Sequence, residues 1–194
     1  RSEAAAIFAR LLAEKNSDTI STAANTKFAD IPAHAWYSGY VKYLANNGIT
    51  YGKSKTIFAP DDAITRAEFT TMAVRFFDVY GDGDAEIMEQ FSGFNDVSSG
   101  YWAAEYIKYA ALHGWINGYG DGSFHADREI NRAEVVTIVN RLLGREADED
   151  YIADNLRKLN TFPDVSRKHW AYYAVMEAAN AHTAVLGESE SWSK

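Results

Sequence analysis

Apolar residues recur at helical spacing in three stretches of the chain, and each stretch begins with nearly the same phrase. The phrase ITRAEF at residues 64–69 returns as INRAEV at residues 130–135, and the chain opens on RSEAAAIF. Apolar positions at i, i+3, i+4 and i+7 define one buried face of a helix. In the middle stretch these positions are Phe69, Met72, Ala73 and Phe76. The pattern therefore predicts three equivalent helices around a three-helix core.

A second phrase marks another helix in each repeat. FADIPAHAW, FNDVSSGYW and FPDVSRKHW begin at Phe28, Phe94 and Phe162. Apolar positions follow the tryptophan at i+4, i+5 and i+8 and predict a helix that ends at a left-handed glycine, Gly48 or Gly114. The phrase favours structural roles for two sets of residues. The tryptophans are expected in the core, with ligand platforms as the alternative, and the aspartates are expected to cap or support the helix start. These are Trp36, Trp102, Trp170, Asp30, Asp96 and Asp164.

The two phrases divide the chain into repeat units. We expect a single domain over residues 1–194, all-α with long loops. Its parts are the back half of a first unit, two complete units and the front half of a closing unit. They span residues 1–27, 28–93, 94–161 and 162–194.

The connections between units are polar and unlike one another, which predicts solvated linkers. One of them contains Asp82 and Asp84, which lack the rest of a calcium-loop pattern. Another is expected to hold a short helix over residues 151–159. After Trp170, the last helix is expected to run through residue 192.

The starts of the second and third motif helices have the sequence of a capping box. Thr65 is a good N-cap with Glu68 three residues later, and Asn131 with Glu134 repeats the arrangement. Such a box stabilises a helix start by about 1–2 kcal/mol.

The capping box does not explain the arginine that follows each cap residue. The helix dipole disfavours a cation at this position by about 0.3–1 kcal/mol. Two interpretations are open for Arg66 and Arg132. One is a salt bridge to a nearby acid such as Asp61, Asp62 or Asp127. The other is an anion site built from the guanidinium and free N–H groups of the helix start.

Composition narrows the classes of function. The 27 acidic and 19 basic residues give a net charge of −8, which argues against nucleic acid as a partner. No apolar run is long enough to span a bilayer, so no membrane insertion is expected. There is no cysteine, and the five histidines show no metal-binding spacing. Without a nucleophile elbow or nucleotide loop, we expect no catalytic residue, metal or cofactor.

The combined motifs resemble the S-layer homology (SLH) domain family. The resemblance rests on FxDV with a tryptophan eight residues after the phenylalanine, a helix ending in glycine, DGSF, and ITRAEF. It covers nearly the whole chain apart from the linkers and the last dozen residues, as about three tandem units. It implies a pseudo-threefold assembly around a central three-helix bundle.

The family resemblance also implies a function. Such domains anchor surface proteins to secondary cell wall polysaccharide, often through a pyruvylated amino sugar held in grooves between units. The motif arginine meets the acidic group, and the helix end and glycines of the next unit line the groove. Carried onto this chain, one groove pairs Arg66 with Gly114, Trp115 and Gly118; another pairs Arg1 with Asn47, Gly48 and Gly52; a third lies at Arg132.

We therefore expect a non-catalytic, monomeric anchor of the bacterial cell wall or S-layer, located outside the cell, that binds an acidic polysaccharide. Three copies of one small unit favour multivalent binding over catalysis. The alternative is a helical scaffold that binds a protein or peptide at the cell surface, with the arginines in internal salt bridges. A glycan hydrolase would need two carboxylates facing each other across a groove, and no such pair stands out.

Overall fold

The computed structural model describes residues 1–81, 91–185 and 191–193, which are mostly helical with long loops, as predicted. The linker residues Asp82 and Asp84 lie outside the described residues. The helices are α1 (Ser2–Asn16), α2 (Ser38–Asn46), α3 (Arg66–Tyr80), α4 (Ala104–Leu112), α5 (Arg132–Leu142), α6 (Glu149–Asn155) and α7 (Tyr172–Ala179). A 3-10 turn (Leu156–Lys158) follows α6, and two short strands, β1 (Thr183–Val185) and β2 (Ser191–Ser193), follow α7.

The chain divides into two compact units, residues 1–130 and 131–194. The first contains α1 to α4, and the second contains the remaining elements. The predicted pseudo-threefold arrangement would join α5 to α1 and α3, and it stays a prediction. No helix in the described ranges is both long and apolar enough to cross a membrane.

Aromatic side chains form the core between α1 and α3. The ring of Phe8 lies 5.2 Å from that of Phe69 and 5.0 Å from that of Phe76, measured between centroids. All three side chains are completely buried. The predicted apolar stripe of α3 is therefore the face that packs against α1. Residues at i, i+4 and i+7 share one helix face, which explains why Phe8 can contact both Phe69 and Phe76.

The helices that follow the tryptophans are shorter than the pattern suggests. Val41 and Leu44 of α2, and Ile107 and Ala110 of α4, are buried as predicted. Each helix begins two residues after its tryptophan, at Ser38 or Ala104.

The prediction that the three tryptophans belong to the core is wrong. The exposed fraction is 55% for Trp36, 57% for Trp102 and 65% for Trp170. Each tryptophan lies in the turn before its helix and therefore does not share the helix's buried face. Neighbouring aromatic side chains are its ring contacts, such as Tyr37 and Tyr40 beside Trp36.

The C-terminal unit has its own small core and a different ending from the one predicted. A short helix near residues 151–159 is confirmed as α6 and the following turn. The expected helix through residue 192 is wrong, because α7 ends at Ala179. The backbone of Asn180 is extended, and its side-chain amide donates to the Met176 carbonyl (2.9 Å). In a continuing helix this carbonyl would accept from the backbone N–H of Asn180. The strands then pair antiparallel, and Trp192 covers the small core formed by Ile152, Tyr172 and Met176.

Candidate functional site

Both predicted capping boxes are present. The Thr65 hydroxyl accepts from the Glu68 N–H (3.2 Å), and the Glu68 carboxylate accepts from the Thr65 N–H (3.1 Å). Asn131 and Glu134 make the same pair of bonds at 2.9 and 3.0 Å. These residues therefore fix where α3 and α5 begin.

The first N–H groups of α3 are already occupied. The Arg66 N–H donates to the Arg128 carbonyl and the Ala67 N–H to the Ala126 carbonyl, both at 2.9 Å. The start of α1 repeats this, with the Ser2 N–H on the Pro60 carbonyl at 3.1 Å. The interpretation of the Arg66 helix start as an anion site built on free N–H groups is therefore wrong, because these groups dock α3 on the loop of the following repeat.

The Arg66 side chain holds the same loop. Its exposed fraction is 5%, its Nε donates to the Phe124 carbonyl (2.8 Å) and its Nη2 to the Asn117 carbonyl (3.2 Å). The guanidinium also lies 4.4 Å from the centroid of the Phe124 ring. These contacts explain a cation at a helix start, since carbonyl oxygens and an aromatic face offset the unfavourable dipole.

Arg1 repeats this arrangement in the preceding unit. Its Nε donates to the Phe58 carbonyl (2.8 Å), and its guanidinium lies 5.3 Å from the Phe58 ring centroid. An Nη1 atom also forms an ion pair with Glu68 at 2.6 Å. Arg1 therefore forms a salt bridge of the kind considered for Arg66 and Arg132, with a capping-box glutamate as the acid.

The aspartate of the FxD phrase organises the loop beneath each arginine. Asp96 accepts from the N–H groups of Phe124 and His125, both at 2.7 Å. Asp30 accepts in the same way from Phe58 (3.0 Å) and Ala59 (2.6 Å). The predicted role at the start of the adjacent helix is wrong for both, because the carboxylate reaches a turn 28 residues further along the chain.

Asp96 makes this loop sensitive to acid. Burial raises its pKa, but the N–H groups of Phe124 and His125 outweigh that effect and hold the pKa below its usual value. A lowered native pKa stabilises the fold above the unfolded pKa of about 4, and the contribution is lost as the pH falls through the native value.

We expect Asp96→Asn to unfold at lower urea concentration at pH 7 and to differ less from the unsubstituted chain at pH 3. Equal differences at both pH values would contradict this.

Two pairs of glycines have different structural roles. Gly48 and Gly114 adopt left-handed φ values of 74° and 68° just after α2 and α4, as predicted for helix ends. Gly52 and Gly118 instead allow close packing. A Cβ atom on Gly118 would lie 2.7 Å from the Ser123 carbonyl oxygen and closer still to the Phe94 ring.

Gly118→Ala is therefore expected to lower the free energy of unfolding by about 1–3 kcal/mol, the usual effect of overpacking. Gly120→Ala is the matched control, because nothing lies within 4 Å of a Cβ atom at that position. Urea unfolding of both variants measures the difference. Equal stability of the two variants would show that Gly118 is not held against Phe94.

Trp115 is not available as a stacking surface for a sugar. Its exposed fraction is 4%, and its ring packs 4.7 Å from Phe77 of α3 and 5.2 Å from His113. His113 is buried as well, so these two rings do not form an exposed platform for a sugar. Trp115 instead anchors the end of α4 to α3.

An exposed cluster beside Arg66 was missed by the sequence interpretation. The guanidinium groups of Arg66 and Arg128 lie 5.1 and 5.6 Å from the centroid of the Tyr119 ring. The His125 ring lies 4.8 Å from it. Arg128 and Tyr119 are exposed, and an Arg128 Nη2 donates to the Tyr119 hydroxyl. We call Arg66, Tyr119, His125 and Arg128 the Tyr119 cluster.

The equivalent positions in the preceding repeat are less basic. Lys53 aligns with Tyr119, and Asp62 aligns with Arg128. These two residues form an ion pair with each other. Alignment of the two loops could have shown the change from Asp62 to Arg128, although not its contact with Tyr119.

The other predicted site residues are divided among several places. Gly118 lies between Asn117 and Tyr119, which both contact Arg66. Asn47 caps the end of α2, and its amide donates to the Tyr43 carbonyl (2.8 Å). Arg132 begins α5 in the second compact unit and is exposed. In the ranges that the structure describes, no cluster of histidine and acidic residues could hold a metal ion.

Comparison with known proteins supports this interpretation of the repeats. Residues 27–70 and 93–136 match the family model of the S-layer homology domain. The two matches cover the FxD phrase through the capping-box helix start in each complete unit. The family model does not show a third unit.

Three relatives illustrate where such sequences occur. Cell surface glycoprotein 1 of Acetivibrio thermocellus is 33% identical over 98% of this chain, which spans 8% of that relative. The cellulosome-anchoring protein of the same organism is 31% identical over 97% of this chain, which spans 40% of it. The surface-layer 125 kDa protein of Lysinibacillus sphaericus is 30% identical over 74% of this chain and 12% of its own length.

This chain therefore spans less than half of either A. thermocellus relative. The matches indicate a bacterial cell-surface protein associated with the cell wall, and they point to a non-catalytic anchoring module. With the capping boxes and docked loops, the two matched segments identify residues 27–70 and 93–136 as repeats of the S-layer homology type.

Proposed function

We propose that this chain anchors its parent protein by binding an acidic cell wall polysaccharide, whose carboxylate is carried by a pyruvyl ketal on an amino sugar. The polysaccharide carboxylate binds at the Tyr119 cluster, where the two complete repeats meet. Binding is non-catalytic and involves a monomer of the chain.

The observation that carries the proposal is two guanidinium groups over one exposed tyrosine ring. A guanidinium fork matches the geometry of a carboxylate, and the exposed part of the Tyr119 side chain, 37% of its surface, can contact a sugar ring. Arg128 supplies an exposed cation, whereas Arg66 is fixed by two backbone carbonyls and holds Tyr119 in place. Salt screens charges beyond about 8–10 Å, so the net charge of −8 does not prevent local attraction of an anion.

The other predicted grooves contribute through avidity. A polymer that reaches a second groove gains orders of magnitude in apparent affinity. The groove of Arg1, with Asn47, Gly48 and Gly52, is less basic because Asp62 stands where the next repeat has Arg128. We expect it to bind more weakly than the Tyr119 cluster, and we assign a third groove to Arg132.

Binding to isolated wall polymer tests the proposal. The polysaccharide would be released from A. thermocellus cell walls, immobilised and compared before and after chemical reduction of its carboxylates to alcohols. We expect binding to the native polymer and at least tenfold weaker binding after reduction. Equal binding to both would contradict an acidic ligand, and capture only by protease-sensitive wall material would favour the alternative protein partner.

A further inference from the structure

Resting on the proposed function, we propose that His125 makes binding at the Tyr119 cluster dependent on pH, with tighter binding of the acidic sugar when the imidazole is protonated. The protonated ring adds a third cation to those of Arg66 and Arg128. Histidine is the side chain whose charge ordinarily changes between about pH 5 and 8. The expected consequence is an anchor that holds the wall polymer more tightly in mildly acidic surroundings and releases it more readily as the pH rises.

His125 is fixed in position and open to solvent. Its backbone N–H donates to Asp96 at 2.7 Å, and its carbonyl accepts from the Arg128 N–H at 3.0 Å. The imidazole lies 4.8 Å from the Tyr119 ring, measured between centroids, and 48% of the side chain is exposed. A ligand that contacts the Tyr119 ring therefore lies close to the imidazole.

Hydrogen bonds to the imidazole determine where the second proton binds. The Ser123 hydroxyl lies 2.6 Å from an Asp121 carboxylate oxygen and 3.0 Å from Nε2 of His125. A hydroxyl has one hydrogen to donate, and the carboxylate accepts it, so Nε2–H donates to Ser123. The bonding pattern thus assigns the proton of neutral His125 to Nε2. Protonation occurs at Nδ1, which lies 3.8 Å from the Asp96 carboxylate.

The charged groups that face the imidazole keep their charge over this pH range. Hydrogen bonds from Ser123 lower the pKa of Asp121, and the pKa of Asp96 is also lowered. Both carboxylates therefore stay ionised between about pH 5 and 8 and favour the imidazolium. Arg66 and Arg128 act in the opposite direction, and arginine remains protonated throughout. Protonation of the imidazole thus adds one positive charge to the cluster.

The backbone of the loop does not require a histidine at this position. His125 has a left-handed φ of 54°, and Ala59, which occupies the same place in the preceding repeat, has a φ of 57°. Asp30 accepts from the Ala59 N–H as Asp96 accepts from that of His125. The same turn therefore forms around an alanine, and the imidazole is available for a role in binding.

The expected size of the effect follows from a single exposed charge. The attraction between two unit charges about 4 Å apart in water corresponds to about a fivefold change in affinity. Binding and protonation are linked, so the ligand must raise the proton affinity of the imidazole by the same factor. A fivefold factor moves the midpoint of the histidine titration upward by about 0.7 of a pH unit.

Nuclear magnetic resonance of the whole chain measures both sides of this linkage. The methyl glycoside of a pyruvylated N-acetylhexosamine would be titrated at pH 5 and pH 8, with methyl N-acetylglucosamine as the neutral control. Binding is followed at the Tyr119 ring and Arg128 Hε signals. We expect the acidic sugar to bind about fivefold more tightly at the lower pH and the neutral sugar to show no such difference. Saturating acidic sugar should also move the titration of the His125 Hε1 signal to higher pH.

Matched variants separate this imidazole from other groups that titrate. In His125→Gln, the ratio of the two affinities is expected to fall from about five to about one. His34→Gln replaces an exposed histidine of the preceding repeat and should retain the ratio of the unsubstituted chain. Each ratio compares a variant with itself, so a uniform loss of affinity does not affect it. If His125→Gln fails to fold, the Hε1 titration of the unsubstituted chain still tests the proposal.

The outcomes distinguish the role of His125 from the proposed function. Equal affinities at both pH values, with an unmoved Hε1 titration, would overturn the role of His125 while supporting the Tyr119 cluster. Tighter binding at the higher pH, or an unchanged ratio in His125→Gln, would overturn that role as well. If neither Tyr119 nor Arg128 responded to the acidic sugar at either pH, the proposed function itself would be contradicted, and the role of His125 with it.

Discussion

Replacement of Arg66 by alanine is expected to lower the free energy of unfolding by about 3 kcal/mol. The buried guanidinium donates to the Phe124 and Asn117 carbonyls, and hydrogen bonds from a charged group contribute about 1.5–3 kcal/mol each. Its loss leaves those carbonyls without this donor and removes the contact with the Phe124 ring. Relief of the unfavourable helix dipole, about 0.3–1 kcal/mol, offsets only part of this.

Urea unfolding at neutral pH measures the effect. Arg10→Ala is a suitable control, because the contacts of this exposed arginine with the described residues are those with Tyr40. Its replacement should change stability by less than about 1 kcal/mol. Unchanged or increased stability of Arg66→Ala would mean that the dipole dominates. In that case, the Arg66 side chain would not stabilise the loop of the following repeat.

The double variant Arg128→Gln/Tyr119→Ala is expected to bind the acidic wall polymer about 30-fold more weakly, which corresponds to about 2 kcal/mol. The first substitution removes an exposed partner for the carboxylate, and the second removes the ring that Arg66 and Arg128 share. Stability should change little, because both side chains are exposed. Surface plasmon resonance on immobilised polymer measures the affinity.

The control for this variant is Lys53→Gln. Lys53 occupies the position equivalent to Tyr119 and forms an ion pair with Asp62. Its replacement should reduce affinity less than threefold. If Lys53→Gln weakened binding as much as the double variant did, the groove of Arg1 would be the stronger site.

The local parts of the fold could be predicted from the sequence. A capping box depends on residues three positions apart, so Thr65 and Glu68 are sufficient to indicate the start of α3. The buried stripe follows from the helical period in the same way. The left-handed Gly48 at the end of α2 is likewise a local requirement.

Contacts between distant segments could not be predicted in this way. Asp96 bonds to N–H groups near Phe124, and the Arg66 guanidinium reaches carbonyls more than 50 residues away. Alignment of the repeats shows that these positions recur, but it does not show what they touch. Trp102 shows an error of another kind. A large apolar residue that recurs in every repeat was expected in the core, but the turn before the helix leaves its side chain exposed.

The candidate site was predicted in part for the same reason. Arg66 was found because its position conflicts with the helix dipole. Arg128 was missed because it became significant only through its contact with Tyr119, which lies nine residues earlier in the same loop. Cation–aromatic contacts of this kind depend on loop conformation, which has no simple period in sequence.

A crystal structure of the chain bound to an oligosaccharide cut from the acidic wall polymer tests the central claim most directly. The account predicts that a sugar carboxylate lies about 2.7–2.9 Å from the Arg128 guanidinium nitrogens, with the sugar ring against Tyr119. Arg66 should keep its bonds to the Phe124 and Asn117 carbonyls. An oligosaccharide bound only at exposed Trp102, or one whose carboxylate faces solvent, would contradict the account.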